Sequence, residues 1–422
     1  MYFFYFFPLG LDRPTRRRPL LTWAFMATLV VVFVWQRWLA PATGRDPYDF
    51  VFFPGNDRPW TVLTAVFLHG SWLHLVGNLL YLHVLGPPLE DRLGRLALAG
   101  LVVVLGVGGN LAHGVTSVFG WFGQADVGVM GASGAIAGLM ALVLLRLYSA
   151  RVVVAWWVFA PLGGQNRVGR SAVAVPWAVP LWVLLQVVQM LLAPHTGATV
   201  SFGAHLGGFG LGVLVGLALG EWRAGRAEAA AARARAYFRA GHYLPSVGSW
   251  TEVLAARPED VEAMTGLARG LVVAGQTREA GLAWRRLWDL HRRERRLGEA
   301  LKVYDEATRA GLGGLLTAAE LAEVARTKEL QGDQRGALDV YHRLYEQHPR
   351  DPLGQRALVR IVVLCRGGAG DVETAERWLD EARRVLPAGP WREMLEREFR
   401  PAAARGAGAP AGRPARLHPA GS

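Results

Sequence analysis

The sequence predicts an all-α chain in two unlike parts: six membrane-spanning helices, then a soluble helical repeat domain. Three observations carry that expectation. Hydrophobic residues make up 52% of the 422 and charged residues only 19%, too apolar for an ordinary soluble protein. The apolar excess is confined to about Leu20–Leu219, and beyond Glu221 the chain turns charged, Ala-rich and Arg-rich. In that second half, glycines recur ahead of helix-like units with a shared small–large pattern. The expected parts are 1–19, a cytoplasmic lead-in; 20–221, the membrane domain; 222–400, the repeats; and 401–422, a disordered tail rich in Ala, Gly, Pro and Arg.

The hydrocarbon core of a bilayer demands about 20 mostly apolar residues per helix. The segments that meet this, some marginally, are Leu20–Leu39, Ser71–Leu89, Leu96–Phe119, Gly131–Leu147, Pro176–Ala193 and Gly203–Gly220. Arg151–Ala160 is apolar but too short to span, and is expected at the interface. The first segment lacks a small-residue cleavage site and runs past Trp38, so it reads as a span rather than a signal peptide.

Arginines orient the set. With the N-terminus inside, the cytoplasmic side carries Arg13, Arg16, Arg17 and Arg18, then Arg92 and Arg95, then Arg146, Arg151, Arg167 and Arg170, then Arg223 and Arg226. The outer side carries Arg37, Arg45 and Arg58. The positive-inside rule therefore places both termini in the cytoplasm, with the bundle in a cell (inner) membrane. The net charge of +12 fits membrane-surface anchoring and a solvated helical domain, not nucleic acid. Cys365 is the one cysteine, which excludes an intramolecular disulfide and a multi-cysteine metal site.

Polar groups inside a bilayer are costly, so each asks for a reason. Span two holds His74 and Asn78, four apart and so on one helical face, with His69 before them and His83 after. A pair of donors on one face can solvate a developing negative charge. Span four opens with Gly131-Ala132-Ser133-Gly134, which puts Ser133 where backbone N–H groups lack intrahelical acceptors. That is what an oxyanion hole needs. Span six contains His205 among small residues, with Gly208, Gly212 and Gly216 below it at helical spacing, and span four likewise offers Gly134 and Gly138. Two helices that pack closely on glycines can bring Ser133 to His205 as nucleophile and base. Taken singly, each motif is weak. Gly-x-Ser-Gly in a membrane helix usually means packing, and a lone His can simply bond a carbonyl. His69 and His74 stand five apart, poor spacing for two metal ligands on one helical face, and the spans offer them no carboxylate or thiol. His83 and His113 read as packing or interface residues.

In order along residues 5–220, these motifs resemble the rhomboid intramembrane protease family. Phe7-Pro8-Leu9 to Pro14-Thr15 looks like the lead-in of many bacterial members, and the run from His69 through His74 to Asn78 is similar to the second-helix motif. Glu90-Asp91-Arg92-Leu93-Gly94 resembles the cytoplasmic end of that helix; Gly131–Gly134 matches the nucleophile motif, and Ala204-His205 with Gly208 and Gly212 the last-helix motif. The resemblance implies a six-helix rhomboid bundle and a serine-type endopeptidase without cofactor. Ser133 would be the nucleophile and His205 its base, with His74, Asn78 and the Ser133 N–H holding the oxyanion. Its substrates would be single-span membrane proteins in the lipid bilayer, cut near the outer face. Pro176–Ala193 would be a mobile lateral gate and Pro194–Phe202 a cap above the dyad. The chain departs from the family twice. Thr61 follows Trp60 where many members have Arg, and Ala137 stands where some place an aromatic ring to stack on the histidine. A catalytically silent rhomboid-fold binder presenting the repeats is the alternative, and intact Ser133 and His205 argue against it.

In the second half, Gly241, Gly275, Gly332 and Gly370 open comparable units. Five residues on stand Ser246, Ala280, Ala337 and Ala375; nine on stand Trp250, Trp284, Tyr341 and Leu379; Pro258, Pro349 and Pro387 follow three of them. The region resembles tetratricopeptide repeats (TPR-like), with Asp289–Leu316, containing Ala300 and Tyr304, as an irregular unit. Such arrays bind a peptide or partner protein, here on the cytoplasmic side.

Overall fold

Apolar runs of span length fold as the expected helices in the computed structural model, which describes residues 3–55, 58–119, 128–160, 165–196, 201–369 and 372–399. The expected tail at 401–422 and much of the expected cap at 194–202 lie outside the described residues. The six spans are α1 (Leu20–Val34, carried on to Ala42 through a π turn at Trp35–Leu39), α2 (Trp72–Leu93), α3 (Arg95–Val118), α4 (Ser133–Arg146), α5 (Val175–Thr196) and α6 (Phe202–Ala218). Leu20–Ala42, α3 and Val175–Leu192 are each long and apolar enough to cross a membrane. The helices α2 and α6 qualify together with shorter or more polar helices that they meet at bends of 87° and 71°. With 14 residues, α4 is shorter than these, and its buried face is nearly continuous from Gly134 to Val143. The core of the bundle forms around it: Leu139 and Leu142 of α4 meet Leu29 and Phe33 of α1, Leu75 and Leu82 of α2, and Leu105 of α3.

A three-stranded antiparallel sheet qualifies the all-α expectation without displacing it. The strand β1 (Phe3–Leu11) pairs with β2 (Arg151–Ala160), and β2 pairs with β3 (Gln165–Ala174), in the order β1-β2-β3. The short apolar segment at 151–160 is therefore half of a hairpin, and the lead-in supplies the third strand, in register Phe7↔Ala155. The physical reason lies in composition. Val152-Val153-Val154-Ala155-Trp156-Trp157-Val158 is β-branched and aromatic, which favours a pleated ladder over a helix.

The motif at Glu90-Asp91 is a capping device. The helix α1 starts after Pro19, which contributes no side-chain cap, so its first N–H groups need acceptors from elsewhere. Buried Glu90 provides them, accepting from the N–H of Leu21 (3.1 Å) and Thr22 (2.8 Å) and from the Thr22 hydroxyl (2.8 Å). Asp91 accepts from the N–H of Arg16 (3.1 Å) and Arg17 (3.0 Å).

The chain divides into two compact units, 1–263 and 264–422, so the expected boundary at 221/222 falls inside the first. The first unit includes α7 (Glu221–Arg239) and α8 (Tyr243–Ala256). The guanidinium of Arg146 binds Glu221 (3.1 Å) and Glu228 (2.7 Å) of α7, and Arg92 binds Glu228 (2.9 Å). Burial works against the ionised Glu228 carboxyl, but the two arginines outweigh it and hold its pKa below the usual carboxylate range. Gly225 lets α7 approach, since a Cβ there would lie 2.6 Å from the Leu145 carbonyl oxygen.

From α9 (Val261–Val273), which crosses the unit boundary, the second unit continues through α10 (Thr277–Arg293), α11 (Leu297–Arg309), α12 (Ala318–Leu330), α13 (Gln334–Gln347), α14 (Pro352–Leu364), α15 (Val372–Val385) and α16 (Pro390–Glu398). The small–large pattern is buried throughout: Ala280 with Trp284, Ala337 with Tyr341, and Ala375 with Leu379. Gly275 and Gly332 reverse the chain at φ of +76° and +83°. Gly370 lies outside the described residues. Ala300 and Tyr304 are buried in the same way, and the residue five before Ala300 is Arg295, at φ +58°. This unit turns on an arginine in the left-handed region, which hides it from a search for glycine.

Candidate active site

Ser133 is the first residue of α4 and His205 lies in the first turn of α6. Glycines bring the two helices together. A side chain at Gly208 or Gly212 would run into the carbonyl oxygens of Gly134 and Gly138, and at Gly134 a Cβ would lie 3.3 Å from the Ala204 carbonyl oxygen. The backbones touch, so the side chains at the helix ends meet. His205 Nε2 lies 2.8 Å from Ser133 Oγ.

The start of α6 is itself held. Ser201 caps it, accepting from the Ala204 N–H at 3.3 Å, and its hydroxyl lies 2.7 Å from Nδ1 of buried His113 on α3. His113, read from sequence as packing, thus ties α3 to the cap four residues before His205.

His74 and Asn78 lie on the face of α2 turned to the loop before Ser133. At Gly131 (φ +118°) a Cβ would lie 2.7 Å from His74 Nε2 and 3.5 Å from Asn78 Nδ2, so only glycine fits both the backbone and the space. The N–H of Gly131 donates to the Ala65 carbonyl (2.8 Å), which fixes the loop. His69 is fully buried and holds Asn78: the Asn78 amide lies 2.9 Å from His69 Nε2, and His69 Nδ1 lies 3.3 Å from the Phe67 carbonyl oxygen. Gln36 brackets the His69 backbone, donating to its carbonyl (3.0 Å) and accepting from its N–H (3.1 Å). Both ring nitrogens of His69 face partners in this network, leaving neither turned to a metal.

Sequence reading missed two neighbours of His205, both on α5. Gln186 is buried, and its Oε1 lies 2.6 Å from His205 Nδ1. The Trp182 ring lies 6.2 Å from the imidazole, tilted 39°. Trp182 supplies the aromatic neighbour that Ala137 does not. The signal for Gln186 was present: a Gln in the middle of a span is costly, and it stands four residues from Trp182 on the same face. At the other departure, buried Thr61 donates its hydroxyl to the Arg58 carbonyl (2.7 Å), and Arg58 pairs with Asp49 (2.5 Å).

Residues 56–222 match the family model described as "Rhomboid domain". Among curated proteins the chain is similar to RHOMBOID-like protein 5 of Arabidopsis thaliana, 28% identical over 38% of this chain and 44% of that one. It is also similar to Rhomboid-related protein 2 of Mus musculus, 28% identical over 47% of this chain and 61% of that one. A third relative is Rhomboid protease GlpG of Salmonella paratyphi A, 27% identical over the same shares. The matches thus span less than two thirds of the length of each of these relatives. Five ordered motifs, the apposed Ser133 and His205, and the match over 56–222 agree: residues 56–222 carry a rhomboid domain, in a multi-pass membrane protein.

Proposed function

We propose that this protein is an intramembrane serine endopeptidase that cuts single-span membrane proteins through a Ser133–His205 dyad. The observation that carries the reading is the 2.8 Å approach of His205 Nε2 to Ser133 Oγ. As Ser133 Oγ attacks the scissile carbonyl carbon, His205 Nε2 takes the hydroxyl proton and the carbonyl oxygen becomes an oxyanion. Donors on one side of Ser133 serve that oxygen: its own N–H at the start of α4, with His74 and Asn78. His205 then gives its proton to the departing amine as the C–N bond breaks, leaving an acyl-serine. Water, deprotonated by His205, attacks the acyl carbon; the bond from that carbon to Ser133 Oγ then breaks, and His205 returns the proton to Oγ as the acid product leaves.

The length of α4 supports a buried cut. Fourteen residues span about 21 Å, against about 30 Å of hydrocarbon. With Arg146 anchored at the cytoplasmic surface, Ser133 sits within the outer part of the membrane. The arginine distribution favours cytoplasmic termini, and the helical units beyond 264, read as tetratricopeptide-like, would recruit substrates or regulators there. Co-expression with reporter transmembrane substrates tests the activity: Ser133→Ala abolishes cleavage, and undiminished cleavage overturns the assignment. Absence of Ser133-dependent fluorophosphonate labelling on folded protein favours a silent binder.

A further inference from the structure

We propose that Gln186 is the positioning residue of the dyad, a neutral third member that sets the tautomer of His205 from α5. This rests on the protease reading above. A base at Nε2 needs its proton on Nδ1, and that proton needs an acceptor. Gln186 Oε1, at 2.6 Å, is that acceptor, and Ser133 Oγ at 2.8 Å then donates to Nε2. The two bonds lie on opposite edges of one imidazole. They specify the reactive tautomer without a carboxylate.

An amide suits this place. A buried carboxylate here would carry a large desolvation cost, whereas a buried amide needs only its hydrogen bonds. A carboxylate also stabilises the imidazolium through charge, which the amide cannot do, so Gln186 acts on orientation rather than on charge. Its location adds a second consequence. Between Trp177 and Leu192 much of α5 is poorly covered, with Trp177, Leu181, Leu184, Leu185, Leu191 and Leu192 exposed, while Val175, Val179 and Gln186 are buried. A helix so placed can swing outward to admit substrate. When it does, His205 loses its Nδ1 acceptor, and the base is set again only as α5 closes.

The test uses purified full-length protein with a reporter substrate and a small fluorophosphonate probe that needs no gate. Gln186→Met, which keeps size and removes the acceptor, lowers kcat and the rate of probe labelling by about 10- to 100-fold, part of what general-base catalysis is worth; KM stays within about twofold. Gln186→Glu restores much of the rate and moves the acid limb of the pH–rate profile up by about one unit, because a carboxylate favours the protonated imidazole. Thermal unfolding checks that both variants fold. Probe labelling of Gln186→Met at the wild-type rate overturns the inference, as does loss of cleavage with labelling intact, which would mean a gate role alone. Failure of the wild type to label at Ser133 would instead sink the dyad reading itself.

Discussion

Gly208 of α6 rests against the carbonyl oxygen of Gly134 of α4, with no room for a side chain between them. The separation of Ser133 from His205 is set by that contact. Gly208→Ala pushes the helices apart; overpacking of this kind costs about 1–3 kcal/mol. A shift of about 1 Å at the dyad costs on the order of 10² in rate. Thermal unfolding in detergent and probe labelling, measured on the same sample, should both fall. Wild-type labelling by Gly208→Ala would mean that the glycine contact does not set the dyad.

Asn78 and His69 form a pair of unequal weight. Asn78→Ala removes a proposed oxyanion donor and lowers kcat by about 10²-fold. His69→Ala leaves Asn78 present but without the ring that holds its amide, so its loss is smaller and no more than that of Asn78→Ala. In the double variant the two losses fail to add, because both act through one amide. Steady-state cleavage of a reporter by the four proteins measures the coupling.

Arg295 carries φ +58° at a turn where Gly275 and Gly332 mark the equivalent positions. A residue with a Cβ is disfavoured in the left-handed region by about 1 kcal/mol, and glycine is not. Arg295→Gly therefore stabilises the second unit by up to about 1 kcal/mol. Slower hydrogen exchange in α10 and α11 of the full chain is the expected result.

Glu320 ties α10 to α12. Its carboxylate accepts from Arg285 (2.8 Å to each oxygen), from Arg292 (2.8 Å) and from the Thr317 N–H (2.9 Å). Burial opposes its charge, but these donors overcome burial and hold its pKa at about 2. A carboxyl with a folded pKa below its unfolded value, about 4.3, contributes stability that is complete above the unfolded value. That contribution falls as pH drops from about 5 to 2 and is on the order of 2 kcal/mol. Opening of α10–α12, followed by hydrogen exchange, should rise across that window, and Glu320→Gln should flatten the dependence while raising the opening rate at neutral pH.

How much of this was legible in the sequence depended on whether the cause lay close in the chain. Spans one to six, Ser133 and His205 are local signals: long apolar runs, a small-residue helix start, a histidine in a glycine ladder. The pairing of β1 with β2 joins residues that lie far apart in sequence, and nothing local to Phe3–Leu11 names Arg151–Ala160 as its partner. Gln186 was visible as a polar residue in a span, but its role depends on which face of α5 meets α6, and that is fixed only by packing. The capping by Glu90 shows the same limit: the motif was recognised, while its purpose required α1 to be in place.

The anchoring of Arg146 by Glu221 and Glu228 has a mechanical consequence. Arg146 and Ser133 are the two ends of one 14-residue helix, a lever about 21 Å long. A tilt of about 3° imposed at the Arg146 end moves the far end by about 1 Å, and that is enough to cost a catalytic group on the order of 10² in rate. Whatever pulls on α7 is therefore geared directly to Ser133, the proposed nucleophile.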